Sequence, residues 1–212
     1  TIRLIEASHP LPDHRSEAAA MSLLDLGATL GTKLAKDDLV IVMVSGGGSA
    51  ILCAPADGLT LADKIGTTRQ LLSCGATINE INCVRKHLSA VKGGRLAAAL
   101  APATVLTLVL SDVVGDDLDA IASGPTVPDP TTFSDALSII ERYGVTGQIP
   151  PAALAYLQRG ASGKPGAPAE TPKPGEAMFD RCRTVLIGTN RLAVLSARSE
   201  ERRVGKECRS RW

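Results

Sequence analysis

Two unbroken apolar runs, Leu39-Val-Ile-Val-Met-Val44 and Val105-Leu-Thr-Leu-Val-Leu110, constrain the fold of this chain more than any other feature. Each has the length of a strand, and neither alternates apolar with polar residues. Both therefore predict strands buried on both faces, the pattern of a parallel sheet. A final strand is expected over a third run, Arg183 to Ile187. Helical patterns separate them, which predicts βαβ units and an α/β fold, a parallel sheet with helices on both faces. Ligands of such sheets bind beyond the carboxyl ends of the strands. All three runs end there in small or polar residues: Ser45 to Ser49, Ser111 to Asp117, and Gly188 to Asn190.

The connecting segments carry their own punctuation. Residues 2–6 alternate apolar and polar as a short strand does, and Pro10 and Pro12 then force a turn. Apolar residues recur at helical spacing from Ser16 to Leu34, with Ser16 as the N-cap. A helix is expected over Thr60 to Ser73, capped by Thr60 and stopped by Gly75. Further helices are expected over Gly94 to Leu100, Phe133 to Tyr143 and Pro151 to Gln158, whereas the Gly- and Pro-rich residues 160–175 predict a mobile loop.

Composition closes several doors. Hydrophobic residues make up 44% of the 212, enough for a sizeable core, but aromatics are only 2%, so that core is aliphatic. No apolar run approaches the roughly 18 residues that span a bilayer. Thr1 to Glu6 lacks the order of a signal peptide, and a cytoplasmic home without membrane partners is expected. The five cysteines form no CxxC pair, which argues against zinc and disulfide frameworks. A net charge of +1 provides no general basic surface for nucleic acid. Even that charge lies in the last fifteen residues, 198–212, which hold six basic and three acidic residues and the only Trp; without them the net charge is −2. That tail resembles the conceptual translation of a sequencing adaptor, so the expected organisation is an α/β domain over 1–197 followed by a non-native 198–212.

Three segments carry chemistry. In Ser45-Gly-Gly-Gly-Ser49, the glycines Gly46, Gly47 and Gly48 allow a ligand to approach backbone N–H groups closely, and such amides make an anion site. Neither GxxxxGK[ST] nor GxGxxG is present, so the turn is not a Walker A loop or a dinucleotide fingerprint. The stretch Asn79 to Arg95 packs Arg85, Lys86, Lys92 and Arg95 around a glycine pair, the charge that phosphate or carboxylate recognition needs. His87 in the same stretch reads as a core or helix-face histidine. After the second strand, Asp112 and Asp116 are placed to bind Mg²⁺ through oxygen, and Asp112 to accept a proton from a hydroxyl. Anion cradles, cations and strand-end carboxylates together point to phosphoryl transfer. The missing dinucleotide fingerprint argues against hydride transfer, and the absence of a GxSxG elbow argues against nucleophilic hydrolysis.

Six motifs together carry a resemblance. His9-Pro-Leu-Pro-Asp13, Ser45-Gly-Gly-Gly-Ser-Ala50, Asn82-Cys-Val-Arg-Lys-His-Leu-Ser89, Lys92-Gly-Gly-Arg95, Ser111-Asp-Val-Val-Gly-Asp116 and Ser123-Gly-Pro-Thr-Val-Pro-Asp-Pro130 resemble the class II glycerate 2-kinases over residues 1–197. The resemblance implies a Rossmann-like domain, here incomplete, and phosphorylation of D-glycerate at its 2-hydroxyl with ATP and Mg²⁺. Of the family's essential groups only the strand-end aspartate is matched, by Asp112, which the resemblance implies is catalytic. On the kinase reading of the residues, Ser45, Gly46, Gly47, Gly48 and Ser49 with Arg85, Lys86 and Lys92 contact phosphate or substrate, and Asp112 with Asp116 bind the metal. The resemblance also implies two parts that this chain lacks: an earlier Gly-Lys segment with a catalytic lysine, and a C-terminal domain with an active-site arginine. The chain alone is therefore expected to be inactive. Two alternatives stay open, an NAD(P)H-dependent hydroxypyruvate reductase and a non-catalytic sugar-acid-binding module.

Overall fold

The computed structural model describes residues 2–31, 34–111, 118 and 121–203. Three parallel strands, β1 (Leu39–Val44), β2 (Thr104–Leu110) and β3 (Cys182–Gly188), form one open sheet in the order β1-β2-β3. Register pairs Val44 with Val109, and Leu110 with Gly188 after a slip, so all three carboxyl ends finish side by side. Helices α1 (His14–Gly31), α2 (Gly48–Ile51), α3 (Leu61–Ser73), α4 (Ile78–His87) and α5 (Arg95–Leu100) connect β1 to β2 or precede it. Helices α6 (Phe133–Arg142) and α7 (Pro151–Ala161) precede β3, and α8 (Asn190–Arg203) follows it, running across the change of composition at Arg198.

Caps explain most boundaries. Thr60 with Asp63, Thr77 with Glu80 and Thr132 with Asp135 each form a reciprocal capping box at the starts of α3, α4 and α6. At α1, the Asp13 carboxylate accepts from the N–H groups of Arg15 and Ser16, and Ser16 Oγ accepts from Asp13 N–H. The helix thus starts two residues before the expected Ser16, which is buried inside it.

Two other expectations fail for want of a partner. Residues 2–6 are irregular chain, not a strand, because no described strand pairs with them; Ile2 and Leu4 are exposed. β1 is covered on one face only, and there it is half-buried. Val40 and Val42 pack with Val105, Leu96 and Leu100 under α5 and α1, whereas Leu39, Ile41 and Met43 on the opposite face are exposed, Met43 at 80%.

The largest core lies beside the sheet, where α3, α4, α6 and α7 pack around Leu71, Val84, Phe133, Ile140 and Leu157. Gly160 permits the closest approach there: a Cβ at that position would lie 2.5 Å from the Phe133 ring. His87 belongs to this core. Its Nδ1 faces Cys83 O at 2.8 Å, its Nε2 faces Glu170 Oε2 at 3.1 Å, and its ring meets Phe133 edge-on.

Between the helical core and the sheet runs the loop Ala122 to Thr132. Its carbonyls at Ser123, Gly124 and Pro125 accept from the amides of Gly93, Gly94 and Leu96. Asp129, fully buried, pairs with Lys86 Nζ at 3.2 Å and accepts from Thr131 and from Thr171 Oγ1. Residues 160–175 are therefore not free along their whole length, since Glu170 and Thr171 are hydrogen-bonded to the interior. The Asp129 carboxylate is held below its usual range: burial opposes its charge, but the Thr131 bonds and Lys86 outweigh burial. Replacing Asp129 with Ala takes this carboxylate from a buried ammonium. The expected loss is about 3–5 kcal/mol of unfolding free energy, read from urea denaturation of Asp129→Ala against the parent chain.

Candidate functional site

At the carboxyl ends of the strands a cleft of about 410 Å³ opens between Gly46, Leu110, Ser111, Gly188, Thr189, Asn190 and the first turns of α8. Ser111 N–H donates to Gly188 O at 2.9 Å, locking β2 to β3 at its floor. Thr189 Oγ1 accepts from Leu192 N–H and caps α8, whose N-terminus faces this end of the sheet. Gly47, at φ 78°, makes the turn that leads from β1 into α2. A Cβ there would also press on His9 Cδ2 at 3.0 Å. The turn's own hydrogen bond runs from Gly48 N–H to Ser45 O, and the Gly46 and Gly47 amides stand outside it. Ser45 and Gly46 are exposed at the rim.

Ser49 links this turn to a second feature behind it. Its carbonyl accepts from Lys92 Nζ at 3.0 Å and from Arg85 Nη2 at 3.3 Å, and its Oγ lies 3.2 Å from Lys92 Nζ. Lys92 Nζ also reaches Ala122 O, at 3.3 Å. Ser123 Oγ bonds both Ser49 Oγ, at 2.7 Å, and Asn82 Oδ1, at 3.1 Å. Ala122 and Ser123 hold φ of 52° and 59°, a left-handed pair that L-residues rarely adopt. Such conformations persist where surrounding bonds fix them, and they cluster at functional sites.

Arg85 and Lys92 also line a cavity of about 310 Å³ together with Lys64, Arg69, Cys53, Ile65, Thr68, Leu72 and the stretch Pro10 to Pro12. The sites read from sequence thus divide into two adjoining places. Gly46 lies on the strand-end cleft, and Gly47, Gly48 and Ser49 carry the chain from it towards Arg85 and Lys92 on the second cavity. Lys86 joins neither, because its ammonium is committed to Asp129 in the interior. Asp112 and Asp116 lie outside the described residues, although Ser111, the residue before Asp112, lines the cleft. Among the described residues no group of three or more His, Cys, Asp or Glu is arranged to hold a metal, nor is any helix long and apolar enough to cross a membrane.

Lys64 was not singled out by motif, yet α3 signals it. Lys64, Thr67 and Leu71 are its buried residues and fall on one helical stripe, so a lysine occupies a core-facing position. Its Nζ donates to Leu88 O at 3.0 Å and Ala54 O at 3.4 Å. Burial, with Arg85 and Arg95 nearby, pulls its pKa down to about 8. Lys92 is lowered for the same reasons, burial first and then Arg85 and Lys64. Burial also lowers Arg85.

An open parallel α/β sheet with a cleft at its carboxyl ends and a glycine turn at the rim defines a ligand-binding α/β protein. Residues 1–158 match the family described as a domain of unknown function, DUF4147, and the chain belongs to that family. It is 50% identical over 175 residues to a putative hydroxypyruvate reductase of Agrobacterium vitis, covering 82% of this chain and 37% of that protein. It is 41% identical over 204 residues to a glycerate 2-kinase of Pyrococcus horikoshii, covering 96% of this chain and 44% of the relative. Among solved structures, a glycerate kinase of Thermotoga maritima superposes with a TM-score of 0.79 at 38% identity, over 94% of this chain and 44% of that one. The chain spans less than half the length of these relatives.

The low basicity of Lys64 has a consequence for stability. The groups facing it are Cys53, Arg85, Lys92 and Arg95. Below about pH 8 Lys64 is charged in both states, and its burial penalty is fully present. Between about 8 and the ordinary 10.5 the unfolded chain binds the extra proton, so stability rises with pH across that window. Urea midpoints under reducing conditions are expected to climb from neutral pH into this window, and Lys64→Met is expected to flatten the climb.

Proposed function

We propose that this chain is part of an ATP-dependent kinase that phosphorylates D-glycerate at its 2-hydroxyl to give 2-phosphoglycerate. The observation that carries the reading is the convergence of the glycine turn and Ser111 on one strand-end cleft, in a chain 41% identical over nearly its whole length to a glycerate 2-kinase. In the reaction the γ-phosphorus forms a bond to the glycerate 2-oxygen, its bond to the ADP oxygen breaks, and the hydroxyl proton leaves. Such transfers depend on positioning and charge stabilisation.

The chain's residues divide the work. The Gly46 and Gly47 amides offer donors to anionic oxygen at the rim of the cleft, and Ser45 adds a hydroxyl. Lys92 and Arg85 hold Ser49, and with it the shape of the turn. Asp112, the next residue in sequence after Ser111, accepts the hydroxyl proton in this reading. Mg²⁺, when bound, supplies charge neutralisation at the transferring phosphoryl group, and Asp112 with Asp116 would hold it. A second domain of the same polypeptide closes the cleft in this reading, and the enzyme works in the cytoplasm.

The test is formation of 2-phosphoglycerate from D-glycerate and ATP by the longest natural polypeptide carrying this sequence. Asp112→Ala is expected to lower kcat by about a hundredfold to ten-thousandfold, the usual weight of general-base catalysis. An undiminished rate removes Asp112 from the mechanism. The name of the Agrobacterium relative keeps a reductase reading in view. It predicts NAD(P)H oxidation with hydroxypyruvate and no requirement for ATP, so the same preparation separates the two.

A further inference from the structure

The cavity behind the glycine turn contains positive charge that its own wall does not balance. Lys64 is 5% exposed and Lys92 1%, and both line it with Arg85. Their hydrogen-bond partners are neutral oxygens: the carbonyls of Ala54 and Leu88 for Lys64, the carbonyls of Ser49 and Ala122 with Ser49 Oγ for Lys92, and Ser49 O with Asn82 Oδ1 for Arg85. Among the described residues no carboxylate lies within ion-pair distance of any of the three. Lys86 makes the contrast within the same protein. It is as buried as Lys92, follows Arg85 directly, and has Asp129 against it.

Buried charges in folded proteins are paired, because an isolated one loses its hydration without compensation. Four cationic side chains around one cavity, Arg69 being the fourth, also repel one another. The cost of keeping them together is offset when a negative group sits between them. Apart from Thr68, Arg69 and Cys53 the other walls are apolar, from Pro10, Leu11, Pro12, Ile65 and Leu72, which lowers the local dielectric and strengthens attraction for an anion. A volume of about 310 Å³ is at the bottom of the range for ligand sites and ample for a short acid.

We infer that the Lys64–Arg85–Lys92 cavity is a binding site for a small oxyanion, the carboxylate or phosphoryl group of a molecule about the size of a three-carbon acid. It is separate from the strand-end cleft and joined to it through Ser49. The site stands on the uncompensated charge; only the identity of the acid as D-glycerate rests on the kinase reading.

Thermal unfolding of the chain with D-glycerate, inorganic phosphate or uncharged glycerol tests it. At least one of the two anions is expected to raise Tm with increasing concentration, while glycerol produces no specific shift. A response to glycerate alone assigns a carboxylate site, and a response to phosphate alone assigns a phosphoryl site. Lys64→Met is expected to raise Tm in anion-free buffer, because it removes a repelled charge, and to abolish the anion response. A merely structural lysine would lower Tm on removal, by orphaning Ala54 O and Leu88 O. Arg85→Gln is the second variant, with anion affinity expected to fall about tenfold to a hundredfold, the weight of one charged hydrogen bond. No anion response in the parent chain overturns the proposal. So does a response that survives in both variants, since the anion then binds elsewhere. Failure of the kinase reading shows separately, as absent 2-phosphoglycerate with the anion response intact.

Discussion

The ammonium of Lys92 holds together the parts of this molecule that chemistry needs. It emerges between α4 and α5, is almost completely buried, and bonds Ser49 and Ala122 at once. Ser49 belongs to the glycine turn after β1, and Ala122 opens the strained loop after β2. A four-residue helix such as α2 has little stability of its own. Its position is set by the two cations on the Ser49 carbonyl and by the Ser49–Ser123 hydroxyl pair. The left-handed pair Ala122 and Ser123 is fixed from the same side, by Lys92 on one carbonyl and Gly93 on the next. Strain in the loop and shape in the turn thus have a common support.

Two neighbouring lysines show what decides the role of a buried cation. Lys86 and Lys92 are 1% exposed, and both are reached through the helical segment after Thr77. Lys86 has a carboxylate at 3.2 Å, itself held by two threonines, so its charge is spent inside the fold. Lys92 has carbonyls and a hydroxyl, which satisfy its hydrogens without cancelling its charge. The first arrangement fastens the loop of Asp129 to α4. The second leaves a positive potential in a cavity wall, because neutral dipoles stabilise a cation less than an opposite charge does.

Strand identity was legible from the apolar runs, since a six-residue stretch without alternation has few other uses. Of the three helices with capping boxes, α3 and α6 were expected from the sequence, whereas α4 was read only as a polar, basic stretch although Thr77 stands three residues before Glu80. What covers each face of β1 was not. Leu39 and Val40 are equally apolar, and only the packing of α1 and α5 decides which is covered. The site was legible in its residue types and less so in its partition. Arg85 and Lys86 look interchangeable in sequence, yet successive helical positions point about 100° apart, so one faces the cavity and the other Asp129. Lys64 escaped motif reading because its signal is positional, a charge on the buried stripe of an amphipathic helix.

The two adjoining cavities differ in what surrounds them. The strand-end cleft is open, rimmed by exposed Ser45 and Gly46 and by the start of α8, which suits a ligand whose bulk remains near solvent. The cation cavity is walled in part by prolines and aliphatic side chains beside its cationic ones, which suits a compact anion. Ser49 lies between them with its carbonyl turned to the cations. A negative charge drawn in by Arg85 and Lys92 would compete with that carbonyl for their hydrogens. It would thereby loosen the hold on α2 and on the glycine turn at the other site. The cavity wall and the turn thus share one residue, Ser49, whose carbonyl takes hydrogens from both cations.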